Sequence, residues 1–187
     1  KVNPSGHLSV TFANTAGQEP MYYNHPNTGK PGGKFKFTSK YQDAPVTPLY
    51  PFGYGLSYTA FEYSGLKIMP GNKACTDGYK GDVINVNVDK VMDVEITVKN
   101  TGAMDGADVV QLYVQDVTAS MVRPVKELKR FKKLWIPAGE ERTCHFQLPV
   151  TDLGFYNRNL EYVVEPGKFR LWAGPDSSNG LEGEINV

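Results

Sequence analysis

The sequence predicts an all-β chain: an antiparallel β-sandwich that carries an extended N-terminal segment. Three observations lead there. Apolar and polar residues alternate strictly in several segments after residue 59, the signature of half-buried strands. Turn-forming residues separate those segments. The first 58 residues instead concentrate 7 of the 13 Pro and 10 of the 22 aromatic rings. That composition fits neither a helix nor a flexible linker, so it predicts an ordered segment packing its rings on something.

Taken in order, the first segment holds one predicted strand, Leu8–Phe12, followed by Pro20, Pro26, Pro31 and the Gly32-Gly33 pair. Beyond residue 59, Ile84, Val86 and Val88 alternate with Asn85, Asn87 and Asp89. Val94, Ile96 and Val98 do so with Glu95, Thr97 and Lys99, and Val110, Leu112 and Val114 with Gln111, Tyr113 and Gln115. Cys144, Phe146 and Leu148 follow the same rule, as do Phe169, Leu171 and Ala173. Asn100-Thr101-Gly102, Pro137-Ala138-Gly139 and Glu165-Pro166-Gly167-Lys168 read as turns. Short strands at this spacing are those of an immunoglobulin or fibronectin type III sandwich. Val125, Leu128, Phe131, Leu134 and Trp135 also fit a basic amphipathic helix. Strands on both sides favour a strand here too, with Leu128, Leu134 and Ile136 on one face and Phe131 and Trp135 on the other. Lysines on a sheet edge would guard it against pairing.

The 187 residues hold 20 Lys and Arg against 20 Asp and Glu, a formal net charge of zero. Global charge therefore predicts no nucleic-acid partner. The balance is uneven, because residues 1–58 carry five Lys against Glu19 and Asp43, leaving +3 there and −3 in the remainder. No apolar window is long enough to predict a membrane span. The first residue is Lys1 rather than Met, so the lack of a leader says nothing of compartment. Cys75 and Cys144 lie 69 residues apart, a spacing similar to the inter-sheet bridge of antibody domains. No Trp follows Cys75 before Trp135, and Arg142 stands where the corner Tyr would be. A disulfide and two partly buried thiols both stay open, with the thiols favoured.

The run Leu49-Tyr50-Pro51-Phe52-Gly53-Tyr54-Gly55-Leu56-Ser57-Tyr58-Thr59 resembles a junction in glycoside hydrolase family 3, the β-glucosidase and β-xylosidase family. There an α/β sandwich domain passes into a C-terminal fibronectin type III-like domain. Gly6–Phe12 resembles the last strand of that α/β domain, and Tyr22-Tyr23-Asn24-His25 with Thr28-Gly29-Lys30-Pro31 the segment after it. Arg123–Phe131, Val164-Glu165-Pro166-Gly167 and Gly174 resemble the C-terminal domain. Ser9 and Ala13 depart from the family, which often has Pro there. The resemblance implies that residues 1–58 end the preceding α/β domain and that residues 59–187 form the fibronectin type III-like sandwich. It implies a last piece of a larger glycosidase, secreted or periplasmic, whose oligosaccharide substrate meets catalytic domains upstream.

Retaining glycosidases use two carboxyl groups about 5–5.5 Å apart. The resemblance places both of them upstream, so no catalytic residue is expected in this chain. Asp105 with Asp108, and Glu161 with Glu165, are the only paired carboxylates of note. Their places at turns and strand ends suit structural work. His7, His25 and His145 lack a neighbouring nucleophile or metal-ligand spacing, so neither a metal nor a cofactor is expected. Tyr22, Tyr23, His25, Tyr50, Phe52, Tyr54 and Tyr58 are the expected interface with the upstream catalytic domains. Gly53 and Gly55 would allow a close backbone crossing there, and equally a loop lining a binding groove. Two other functions compete. A carbohydrate-binding module would use exposed Trp135 and Trp172 as sugar platforms, and an adhesion or protein-interaction domain would share only the fold.

Overall fold

The computed structural model describes residues 2–27, 41, 43–70, 84–87 and 90–187. Among the described residues ten strands follow one another: β1 (Phe61–Pro70), β2 (Ile84–Asn85), β3 (Val91–Asn100), β4 (Gly106–Asp116), β5 (Glu127–Ile136), β6 (Glu141–Pro149), β7 (Phe155–Tyr156), β8 (Tyr162–Val163), β9 (Lys168–Gly174) and β10 (Leu181–Asn186). One sheet has the order β1-β3-β6 and the other β2-β10-β9-β4-β5, while β7 and β8 form a small hairpin. All pairings are antiparallel except β10 with β2, which is parallel.

The alternation read from the sequence becomes the core. Val94, Ile96 and Val98 of β3 and Cys144, Phe146 and Leu148 of β6 point inward from one sheet. Val110, Leu112 and Val114 of β4 and Phe169, Leu171 and Ala173 of β9 meet them from the other. Burying side chains of this size stabilises by about 1.5–3 kcal/mol each relative to exposure. The segment that also fitted a helix is strand β5, with Ile136 buried, Leu134 packed on the core and Phe131 and Trp135 exposed. A register shift between Leu112 and Tyr113 marks a bulge against β5.

Two expectations need correction. Leu8–Phe12 forms no regular strand. It makes isolated antiparallel bridges at its two ends, His7 with Gly55 and Phe12 with Tyr50. Leu8 N donates to Tyr54 O and Gly53 N to Leu8 O, both at 2.8 Å. Phe12 N donates to Tyr50 O at the same distance. The segment thus pairs with the Tyr50–Gly55 run. The second correction concerns β4, where Gln111 and Tyr113 were expected on a half-buried strand's polar face. They are 3% and 0% exposed, because Gly53 and Tyr23 of the N-terminal segment lie over that face of the sandwich. Cys144 is a buried free thiol, and Cys75 lies outside the described residues.

Candidate functional site

The site is the seam where the N-terminal segment sits on the five-stranded sheet. Its centre is Gln111 of β4. The Gln111 amide nitrogen donates to Gly53 O at 3.0 Å and to Pro175 O at 2.5 Å, and its oxygen accepts from the Tyr113 hydroxyl at 2.5 Å. Gly53 has φ +81°, and a Cβ there would overlap the Gln111 amide. Gly55 lies so close to His7 that a Cβ would stand 2.9 Å from its ring. The two glycines of the Phe52–Gly55 run therefore make the close crossing possible.

His7 closes one end of the seam. Its Nδ1 lies 2.5 Å from Gly53 O and its Nε2 3.0 Å from Asp108 Oδ1. An acceptor beside each nitrogen favours the doubly protonated, cationic form of the ring. Asp108 shares the inward parity of Val110 and Leu112, and its other oxygen accepts from the Tyr63 hydroxyl of β1 at 2.6 Å. Burial alone would lower the His7 pKa, but the bonds to Asp108 and Gly53 O and the Asp108 charge outweigh it and raise the value. Burial would raise the Asp108 pKa, but hydrogen bonds from His7 and Tyr63 outweigh it and lower the value. Burial, then the Asp108 charge, pushes the Tyr63 phenol far up.

Aromatic rings fasten the other end. Tyr23 stacks on Phe52 at 4.2 Å between centroids and meets Tyr113 edge-on at 5.8 Å. The Tyr23 hydroxyl accepts from Leu128 N at 3.3 Å. Lys126 lies over the Trp172 ring at 4.2 Å and donates to Ser177 O at 2.7 Å, and burial lowers its pKa. Ser177 N in turn donates to Phe52 O at 2.9 Å. Near residue 59, Asn3 Oδ1 accepts from Tyr58 N at 2.8 Å. The Asn3 amide donates to the Ser57 hydroxyl at 2.9 Å.

The seven residues expected at an interface divide into two sets. Tyr23, Phe52 and Tyr54 face inward or lie half-buried, and Tyr54 packs against Tyr50 at 4.9 Å. Tyr22, His25, Tyr50 and Tyr58 remain exposed. His25 reaches the sandwich through its carbonyl, which accepts from Val125 N at 2.9 Å. Sequence reasoning missed His7, Asp108, Gln111, Tyr113 and Lys126 as seam residues. Their signal was weak: an alternating strand whose polar face holds a Gln and a Tyr instead of charges. The paired carboxylates other than Asp108 hold neighbouring turns and loops. Asp105 accepts from Ala138 N at 2.8 Å, Glu165 holds Ser120, and Glu161 accepts from the Asn157 amide at 2.9 Å. His145 pairs with Glu95 at 3.0 Å. Trp135 is 59% exposed, but Trp172 is covered by Lys126 and donates to Glu182 at 3.1 Å.

Residues 108–177 match the fibronectin type III-like domain family. The matched stretch begins at the partner of His7 and ends at the partner of Phe52. Over 188 residues the chain is 41% identical to a periplasmic β-glucosidase of Salmonella typhimurium, covering 99% of this chain and 23% of that protein. This chain is a family 3 glycosidase homologue with a fibronectin type III-like domain. A β-xylosidase of Formosa agariphila is 37% identical, across 94% of this chain and 22% of its own length. Among solved structures, a Listeria innocua β-glucosidase in complex with glucose superposes with a TM-score of 0.84 at 42% identity, covering 99% of this chain and 24% of that one. The fibronectin type III-like chain thus corresponds to the C-terminal part of these enzymes and spans less than a quarter of their length.

Proposed function

We propose that the chain is a non-catalytic C-terminal part of a β-glucosidase-like enzyme and braces its catalytic domains. One observation carries this reading. His7, Tyr23, Phe52 and Gly53 of the N-terminal segment are bonded to or packed on the sandwich, while Val2, Val10, Phe12, Tyr22, Leu49, Leu56 and Tyr58 of the same segment are exposed. Exposed apolar surface gathered on one segment marks a docking face. The occupant is the rest of the same polypeptide, whose relatives are enzymes several times longer. Residues 1–58 end the preceding domain and residues 59–187 form the sandwich, so the segment is a clasp between the two. The catalytic carboxylates belong upstream, and the chain by itself has no glycosidase activity. A periplasmic or secreted location follows the Salmonella relative.

The test is complementation in trans. The upstream-encoded region is expressed with and without this chain, and hydrolysis of an aryl β-glucoside and thermal half-life are measured. The chain should raise both and show no hydrolysis alone. Turnover by the isolated chain, or no effect of adding it, overturns the reading.

A further inference from the structure

The outer face of β5 breaks a rule that the other outer faces keep. On the three-stranded sheet the outward residues are polar: Asp93, Glu95 and Thr97 of β3, and Thr143, His145 and Gln147 of β6. On β9 and β10, Lys168 and Arg170 point outward and pair with Glu182 and Glu184. The outward residues of β5 beside the core pair Leu134 and Ile136 are instead Phe131, Lys133 and Trp135, with the two rings 69% and 59% exposed. Rings four residues apart on one strand face stand about 13 Å apart. Exposed apolar surface rimmed by charge marks a contact with another protein surface.

This strip continues a contact already made. In the β4–β5 register Phe131 lies beside Gln111, the centre of the seam, and Trp135 beside Ala107. Gln111 is enclosed under Gly53 while Phe131 is open, so the covering layer stops between the two strands. At the Trp135 end, a Cβ on Gly106 would meet the Asn3 amide. Asn3 is bonded to Ser57 and Tyr58, so exposed Val2 and Tyr58 stand at that end of the strands. The apolar face of the N-terminal segment and the strip on β5 therefore adjoin.

The chemistry of the strip selects its occupant. A second copy paired by two-fold symmetry would lay the strip on itself and set the lysines of β5 against lysines. A sugar platform built on both tryptophans is blocked, because Lys126 lies over Trp172. Among the described residues Lys133 has no ion-pair partner, and residues 28–40 hold four Lys and no carboxylate. We infer that the outer face of β5 is a second docking surface for the upstream part of the same polypeptide, whose opposing surface is apolar and places a carboxylate at Lys133. The inference rests on the bracing reading and adds to it a contact made by the sandwich itself.

Hydroxyl-radical footprinting with mass spectrometry reads this contact residue by residue. The isolated 187-residue chain is compared with the polypeptide that carries the upstream-encoded region. Phe131 and Trp135 should oxidise readily in the isolated chain, and about tenfold more slowly in the longer polypeptide, as befits the dry centre of an interface. Lys133→Glu should speed Trp135 oxidation by about threefold in the longer polypeptide, since it sets like charges together. In the isolated chain it should change neither the rate nor the melting temperature.

Equal rates in the two polypeptides overturn the inference. So does protection of Trp135 in the isolated chain, whether at every dilution, only at high concentration, or only with cellotriose. Those outcomes assign the strip to residues of this chain, a second copy or a sugar. Protection that Lys133→Glu leaves intact overturns it as well. Tyr22 and Tyr58 report the N-terminal segment in the same spectra. If they are shielded in the longer polypeptide while Trp135 is not, the inference fails and the bracing role stands. If all three stay reactive, both fail.

Discussion

His7 and Asp108 lie 101 positions apart in the chain and meet at 3.0 Å, imidazole Nε2 to carboxylate Oδ1, both almost enclosed. The pair makes the grip of the N-terminal segment depend on pH. His7 has its pKa raised above 6.5 on folding, so its contribution is complete below 6.5 and lost as pH rises through the folded value. Asp108 has its pKa lowered below 3.8, so its contribution is complete above 3.8 and lost as pH falls through the depressed value. Stability should therefore be greatest between these two reference values and decline on the alkaline side. Urea midpoints across pH, with the His7 ring proton followed by NMR, measure it. His7→Gln should flatten the alkaline decline. Asp108→Ala should cost about 3 kcal/mol, since it strands a buried charge.

Gly53 and Gly139 both have positive φ, +81° and +77°, yet alanine should affect them differently. At Gly139 a Cβ meets nothing within 4 Å, so the cost is the left-handed backbone alone, about 1–2 kcal/mol. At Gly53 the Cβ would also displace the Gln111 amide from two carbonyls. Stranding those groups adds about 1–3 kcal/mol. Limited proteolysis should then cut residues 1–58 early in Gly53→Ala and not in Gly139→Ala.

Asn100 is wholly buried at the end of β3. Its amide donates to Met104 O at 2.8 Å and Ile136 O at 3.0 Å, and its oxygen accepts from the Thr59 hydroxyl at 2.6 Å. Asn100→Ala leaves these groups unpaired and should destabilise by about 2–3 kcal/mol. Thr59→Ala should cost less, about 1 kcal/mol, because the two carbonyls keep their donor. Chemical denaturation of both variants checks the order.

Cys144 is enclosed between the sheets, and burial pushes its thiol up to about 11. The thiolate is the reactive form. Alkylation at neutral pH should therefore be slow in the native chain and fast after denaturation. Rapid native labelling traced to Cys144 by mass spectrometry would contradict the buried placement.

The sandwich was legible because its strands are amphipathic with period two. Val94-Ile96-Val98 and Phe169-Leu171-Ala173 could turn only one way without exposing a row of apolar side chains. The segment around Phe131 was read correctly for its neighbours' sake, since its own spacing fitted a helix as well. The seam was less legible. Tyr23 and Phe52 drew attention as aromatics, and the glycines of Phe52–Gly55 as a crossing. His7 and Asp108 gave no sign, because nothing local links residues so far apart. Gln111 looked like an ordinary polar-face residue until a second layer covered it. Leu8–Phe12 carried a strand's alternation, but its partner run bends through Gly53, which leaves room for two bridges only.

Strand β4 has no side of its own facing water along its middle. Val110 and Leu112 belong to the sandwich, while Gln111 and Tyr113 belong to the layer laid over it. The Gly53 carbonyl receives both Gln111 and His7, so three residues from three parts of the chain must suit one another at a single oxygen. A boundary drawn after residue 58 would separate groups that meet at one oxygen. Grafting this sandwich onto another enzyme would accordingly require carrying its first 58 residues as well.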